Sequence, residues 1–383
     1  GIDAELEKLY PDGVPVSVIT AGPEWGYRCV VKLVAGKGKR GDLMLGARND
    51  RGHVVDSSRC PTVTPLLREM IEVVTDLARE ADLRPYTEEH PNGLRYIILR
   101  QSRATNEILV TVVASHRSRF LEAFADSLME ASFPVAGVGL HLNVQLGNAF
   151  FDRGADGVVR AQRLAGRLTI SEISNGLEYS IGVGDFYQIN PTLAEKLQSD
   201  VLEISKSYRD YPMIDLYSGV GFFTVGLAKI HGWALGIESV KSAVRRSQTN
   251  AERNKVNIDA VADLVDYAID EHVETVPRLI GDASPCFVVD PARKGLEDGV
   301  VERLVSFNPA AVLYVSCNPA TLARDVALFC SHGWHLTALS GYDMFPQTQH
   351  VECFAVLNPP AGAELKAKRA PRRKRVPSTS EES

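Results

Sequence analysis

Residues 213–224 read Met213-Ile-Asp-Leu-Tyr-Ser-Gly219-Val-Gly221-Phe-Phe-Thr224, and this stretch decides the fold. A short run of strand character enters a turn carrying two glycines, and a helical pattern follows. Glycines in a strand–turn–helix unit let backbone approach a ligand at the carboxyl end of a parallel strand. A purely structural tight turn is the plain alternative for so short a signal. A dinucleotide loop is the rival ligand reading, but Thr224 stands where that fingerprint carries its third glycine.

Outward from this loop the grammar is regular. A helix over Pro191–Ser207 leads in, and strand candidates recur at Trp233–Glu238, Ile258–Ala262, Cys286–Asp290 and Ala311–Ser316, with helices in the gaps. That alternation implies βαβ units around a buried parallel sheet. Two further strands, His335–Ser340 and Val351–Leu357, lack a long helix between them and predict an antiparallel hairpin at one edge. Residues 185–360 therefore read as an α/β domain with a seven-stranded Rossmann-like sheet. Glu238 ends the second strand, where an acid can accept hydrogen bonds from both ribose hydroxyls of an adenosine. The alternative is a helix N-terminal acid stabilised by the macrodipole. Asp263, after the third strand, is placed to meet an adenine edge, or is a common turn acid.

Residues 1–184 read differently. Short β-type runs at Tyr27–Val34, Arg95–Arg100, Glu107–Ala114, Gly137–Leu146 and Arg167–Ile173 are interrupted by helical patterns over Pro65–Ala81 and Ser118–Ser132. This is an α+β domain. Its frequent cations, among them Arg28, Lys32, Lys37, Lys39, Arg40, Arg48, Arg51, Arg59, Arg100 and Arg103, line either a nucleic-acid groove or a solvated face. The net charge of −6 excludes a uniformly basic coat, so a nucleic-acid site must be a local patch. Residues 361–383 form a third unit, a disordered basic tail in which 366–375 carry seven Lys or Arg.

No run approaches the roughly 18 apolar residues of a membrane span, and the first ten residues lack a secretory pattern, so the expectation is a cytoplasmic chain with no membrane partner. Six cysteines (Cys29, Cys60, Cys286, Cys317, Cys330 and Cys353) show no C-x-x-C spacing, which argues for reduced thiols and against a metal site.

Four blocks then carry a family resemblance. Asp185-Phe-Tyr-Gln-Ile-Asn190, Val288-Val-Asp-Pro-Ala-Arg-Lys-Gly295, Leu313-Tyr-Val-Ser-Cys-Asn-Pro-Ala-Thr-Leu-Ala-Arg-Asp325 and Asp343-Met-Phe-Pro-Gln-Thr-Gln-His-Val-Glu352 resemble, in order and spacing, the signatures of the uracil-C5 RNA methyltransferases. The match is strong over residues 185–357 and looser over 25–180, through Trp25-Gly-Tyr-Arg28 and Val55 to Pro61. The wording is closer to the 23S ribosomal RNA branch than to the transfer-RNA branch. The resemblance implies a class I methyltransferase fold preceded by an RNA-binding domain. It also implies S-adenosyl-L-methionine as cofactor, and a uridine in structured RNA as target, ribosomal RNA being favoured and transfer RNA the alternative. The chain is expected to act as a monomer.

The chemistry fits those blocks. C5 of uracil is a poor nucleophile, and a thiolate adding at C6 turns it into an enolate. Cys317 ends the fifth parallel strand, facing the crevice, whereas Cys286 begins a strand and Cys330 lies in a helix, where both read as core. After methyl transfer the C5 proton must leave, and the resemblance assigns that base to Glu352. Cys353 should point to the opposite face by strand alternation. The resemblance further implies that Gln188 and Tyr217 contact the cofactor, that Asp290 orients the cofactor end or the uracil edge, and that Arg293 helps hold the loop or the target; Gly219, Gly221, Glu238 and Asp263 are expected at the cofactor from their places in the sheet. Phe222 stands where relatives often have Asn, which removes one cofactor hydrogen bond. The target must leave its stack to reach Cys317, so an accessible loop is expected.

Many relatives carry an N-terminal barrel and four cysteines for an iron–sulfur cluster. Here the sequence starts too late for the barrel and offers only Cys60, so no cluster is expected, and the barrel is either absent or upstream of this chain. Two competing readings stand. One is a cytosine-C5 or amino-group methyltransferase, of which the amino-group enzymes would place an Asn/Asp-Pro-Pro-aromatic motif after the fourth strand, where this chain has Ala292-Arg293. A non-catalytic RNA-binding factor could have kept the scaffold alone.

Overall fold

The computed structural model describes residues 16–38, 41–49, 51–87, 91–145, 150–152, 158–265 and 283–367. Lys39, Arg40 and residues 368–383 of the basic tail lie outside them. Strand β1 (Val16–Thr20) joins the second of two large sheets. The first sheet comprises β2 (Val30–Lys37), β3 (Leu43–Arg48), β4 (Val54–Asp56), β5 (Leu94–Gln101), β6 (Ile108–Ala114), β7 (Val135–Leu142) and β8 (Ala161–Gly166), in the order β4-β3-β2-β5-β6-β7-β8.

Period-two alternation gives this sheet two different faces. Val31, Leu33, Ile97, Leu99, Val110 and Val112 meet helices α1 (Pro65–Glu80) and α2 (Arg119–Glu130) in one core. Helix α1 starts on a proline in its first turn and buries Leu67, Met70, Ile71, Val74 and Ala78 at three- and four-residue steps. Helix α2 is capped by Ser118, whose hydroxyl accepts from the Leu121 amide. It is the crossover between the parallel pair β6 and β7. The opposite face carries Val30, Val34, Tyr96, Ile98 and Val113, covered in part by Phe150, Phe151 and Ile189.

A hairpin follows, β9 (Thr169–Ser174) and β10 (Leu177–Gly182), turning through Asn175 and Gly176, both at positive φ. It packs between Leu109 and Ala136 of the first sheet and the helix that follows. Ile170, Leu177, Tyr179 and Ile181 share a core with Leu193, Leu197 and Val201 of α3 (Pro191–Ser205). A single 3₁₀ turn, Lys206–Tyr208, ends α3 two residues earlier than its pattern suggested.

The second sheet holds β11 (Met213–Leu216), β12 (Ala234–Glu238), β13 (Ile258–Ala262), β14 (Cys286–Val289), β15 (Ala311–Ser316), β16 (His335–Tyr342) and β17 (Glu352–Asn358). Its helices are α4 (Thr224–His231), α5 (Lys241–Arg253), α6 (Val300–Ser306) and α7 (Pro319–Ser331). The strand order is β1-β16-β17-β15-β14-β11-β12-β13, parallel through β11–β15 and antiparallel on both sides of β17. The expected seven strands are thus corrected to eight. Strand β1 runs parallel to β16 and covers what would otherwise be an exposed edge. No local pattern announces that pairing, because its partner lies some three hundred residues away. At the other end of the chain, Lys366 accepts at its carbonyl from the Ser284 amide and donates its own amide to the Ser284 hydroxyl.

Candidate active site at the carboxyl end of the parallel sheet

The loop after β11 is held in backbone conformations that side chains disfavour. Tyr217 sits at φ +64°, Gly219 at +54° and Gly221 at +84°. A non-glycine in that region costs about 1–3 kcal/mol, a strain that concentrates where ligands bind. Gly221 has no room for more: a Cβ there would lie 2.4 Å from the Ser247 hydroxyl. At Gly219 a Cβ would meet nothing within 4 Å, so this glycine borders open space. The loop is clamped to the next strand, since the Gly219 amide donates to Glu238 Oε2 (3.0 Å) and the Ser218 amide to the Ile237 carbonyl (3.0 Å).

Glu238 does more than its position suggested. Its Oε1 accepts from the Val240 amide (2.8 Å) at the start of α5, so one carboxylate ties loop, strand and helix together. Its carbonyl accepts from the Asp263 amide (3.0 Å), which brings Asp263 to the same end of the sheet. Tyr217 joins this loop to the one after β14, its hydroxyl donating to Glu297. Gln188 is buried in the segment between the hairpin and α3. That segment packs on the loop through Tyr187, whose ring centroid is 5.4 Å from that of Phe222.

Asp215 was quoted with the loop but given no part to play. It is fully buried in β11, accepts from the Thr224 hydroxyl at Oδ2 (2.5 Å), and has no protein partner at Oδ1. Burial first, then the charges of Asp290 and Glu238, push its carboxyl up to about 7. An unfolded Asp releases its proton near 4, so between about pH 4 and 7 the folded chain binds more protons than the unfolded one. Stability therefore falls as pH rises through that window and stays lowered above it. Asp215→Asn should remove this dependence. The melting temperature of the variant, relative to wild type, is expected to rise by about 5 °C between pH 5 and pH 8 in fluorimetry. A difference that does not change with pH would show that Asp215 is not the group responsible.

Cys317 follows β15 directly and precedes α7, which Asn318 caps through Oδ1 to the Ala320 amide (3.2 Å). In the antiparallel register Ser316 pairs with Cys353, and Cys317 and Glu352 are the residues next outward from that pair. Burial raises the Cys317 thiol above its ordinary value, and the Glu352 and Asp290 charges raise it further, while Arg293 lowers it. Glu352 is 3% exposed, and burial pushes it up to about 7 against the pull of Arg293. Asp290, at the end of β14, is held well above the carboxylate range by burial and by Glu352. Two like charges in one desolvated site share a proton. Cys353 turns the other way into the core beneath α7. Cys286 is buried, and Cys330 packs at the margin of that core.

The remaining motif residues prove to be fasteners. Asn318 Nδ2 donates to the Arg293 carbonyl (2.9 Å), and Arg324 Nη2 donates to the carbonyls of Lys294 (3.1 Å) and Leu296 (3.0 Å). Asp325, buried, accepts from the Leu296 amide (2.9 Å) and the Tyr314 hydroxyl (2.6 Å). Together they fix the 290–297 loop that carries Asp290 and Arg293. The segment before Glu352 is fixed likewise. Asn190 Nδ2 donates to the Met344 carbonyl (3.2 Å), and the Tyr27 hydroxyl to that of Pro346 (2.9 Å). Tyr27 lies in the Trp25–Arg28 block, which thus supports the site from the N-terminal half.

Comparison with known proteins places the chain in a family. The sequence matches the family described as tRNA (Uracil-5-)-methyltransferase over residues 153–359, more than half of the chain. An uncharacterized RNA methyltransferase of Streptococcus pyogenes serotype M18 is 33% identical over 291 residues, 75% of this chain and 61% of that protein. A counterpart from Streptococcus mutans serotype c is also 33% identical, over 75% of this chain and 62% of its own length. The chain thus spans about three-fifths of these relatives. Among solved structures, the Pyrococcus abyssi tRNA (uracil-54, C5)-methyltransferase in complex with S-adenosyl-L-homocysteine superimposes with a TM-score of 0.72 at 26% identity, covering 93% of this chain and 82% of that one. Among the described residues no helix is long and apolar enough to cross a membrane.

Proposed function

Because the chain belongs to the tRNA (uracil-5-)-methyltransferase family, we propose that it methylates C5 of a uridine in structured RNA through a transient bond from Cys317 to C6. One observation carries the reading: at the carboxyl end of the sheet a thiol and a buried carboxyl flank the last pair of β15 and β17, Ser316 and Cys353, and a strained glycine loop follows the neighbouring strand β11. S-adenosylmethionine, when bound, supplies an electrophilic methyl group. The site suits such a cation, because Glu238 brings a carboxyl to the glycine loop and Asp215 keeps a buried oxygen with no protein partner. Tyr217, Gly219 and Gly221 would border it. Glu238 would accept from the ribose, Asp263 would meet the adenine edge, and Gln188 and Asp290 would contact the remainder.

The protein groups then divide the work. Cys317 as thiolate adds to C6 of the flipped base, and its electron pair drives the ring electrons to C5. Glu352, ionised, removes the C5 proton after methylation, and the electrons left behind re-form the C5–C6 double bond and expel the thiolate. Arg293 favours the charged form of both groups. The N-terminal half would hold the RNA through local groups of its arginines and lysines.

The motif wording favours 23S ribosomal RNA as substrate. A second reading, transfer RNA, is favoured by the fold likeness to the Pyrococcus abyssi enzyme over 93% of the chain. Mass spectrometry of nucleosides from unmodified ribosomal and transfer RNA, each incubated with the chain and S-adenosylmethionine, tests both. We expect 5-methyluridine in the ribosomal sample; its appearance in transfer RNA alone would transfer the assignment, and its absence from both would overturn the proposed activity of this chain.

A further inference from the structure

The loop that borders the crevice has a second support, one that no motif marks. Tyr179 on β10 donates its hydroxyl to the Phe222 carbonyl (2.9 Å). Gln198 on α3 donates Nε2 to that same carbonyl (2.5 Å) and to the Tyr179 hydroxyl (2.8 Å). Asn250 on α5 donates Nδ2 to the Val220 carbonyl (3.0 Å), while its Oδ1 accepts from the Ser180 amide on β10 (2.8 Å). All three side chains are completely buried. The rings of Tyr179 and Tyr187 lie 5.8 Å and 5.4 Å from that of Phe222 and close the cluster.

We propose that Tyr179, Gln198 and Asn250 are positioning residues for the cofactor, holding the loop 219–223 in the conformation that receives S-adenosylmethionine. The inference rests on the cofactor placement given above. A peptide unit is planar and trans, so drawing a carbonyl toward the hairpin turns the following amide away from it. Holding Phe222 C=O therefore orients the Phe223 N–H, and holding Val220 C=O orients that of Gly221, which donates to the Ser218 carbonyl (2.9 Å). A loop strained at Tyr217 needs such restraint to keep one conformation before ligand arrives. The hairpin is itself anchored. Glu172, buried on β9, accepts from the amides of Arg103 (2.7 Å) and Ala104 (3.1 Å), and the Ser102 hydroxyl donates to the Ser171 carbonyl (2.7 Å). The brace thus links the turn between β5 and β6 of the first sheet to the cofactor loop of the second.

The test is titration calorimetry of S-adenosyl-L-homocysteine with wild type, Tyr179→Phe, Asn250→Asp and, as a control, Glu178→Ala. Glu178 lies on the same hairpin but bonds outward to Arg253. Kd should rise about tenfold in each brace variant and stay unchanged in the control, with the methylation kcat at saturating cofactor within about twofold of wild type. Unchanged Kd in both folded brace variants overturns the proposal, because a merely structural role lowers the melting temperature and leaves affinity alone. Wild type that fails to bind S-adenosyl-L-homocysteine overturns the cofactor placement itself, a result distinct from the first. If the variants do not fold, hydrogen exchange on wild type decides: slowed exchange at 177–182 together with the loop on adding the ligand supports the brace, and protection of the loop alone refutes it.

Discussion

Cys317→Ala is expected to abolish 5-methyluridine formation, lowering the rate on the order of 10⁴-fold or more, while S-adenosyl-L-homocysteine binds as to wild type. Without the sulfur no electron pair reaches C5, and the ring cannot attack a methyl group whatever else is in place. The substitution removes one partly buried sulfur beside α7 and leaves the Asn318 cap intact, so the fold should persist. Liquid chromatography–mass spectrometry of digested RNA reads the product. Residual methylation within about tenfold of wild type would mean that Cys317 is not the nucleophile, and Cys353 on the adjacent strand would not rescue the idea, because it faces the other core.

Glu352→Gln should produce a different failure, in which the enzyme methylates once and cannot let go. The C5 proton stays, the thiolate cannot be expelled, and a covalent RNA–protein species resistant to detergent should accumulate while turnover falls by about 10²–10⁴-fold. Gel electrophoresis of labelled RNA after denaturation detects it. Normal release of free product would remove Glu352 from the role of base. The variant also has a signature in pH. Burial pushes the Glu352 carboxyl up to about 7, so it becomes an effective base only as pH rises through neutrality. The acid limb of the wild-type rate should therefore sit near pH 7 and disappear from the residual activity of the variant. The rate should keep rising above that limb, because the Cys317 thiol is raised above its ordinary value as well.

Much of this site was legible in the chain because its chemistry is written in short blocks. Cys317 at the end of one strand and Glu352 at the start of another follow from the βαβ grammar and from the four motifs, and the antiparallel pairing of those strands then brings both to the same end. Asp215 could have been found: an acid within the apolar run Met213 to Leu216 is a signal that a buried partner or a ligand is needed. The roles of Asn318, Arg324 and Asp325 were hidden for another reason. Each bonds a backbone carbonyl or amide of a loop some thirty residues earlier, and backbone groups have no letter in a sequence.

The sequence by itself determined the order of strands and helices after residue 185 and the glycine loop, and its motifs supplied Cys317, Glu352, Asp290 and Arg293 as the proposed reacting groups. These depend on local periodicity and on side-chain chemistry, which are properties of neighbouring residues. Only the tertiary structure decided that Val16–Thr20 completes the second sheet, that Glu238 clamps Gly219, and that Tyr179, Gln198 and Asn250 converge on one loop. Each of those joins groups distant in sequence, and such contacts form only where burial leaves a backbone donor or acceptor with no water to satisfy it.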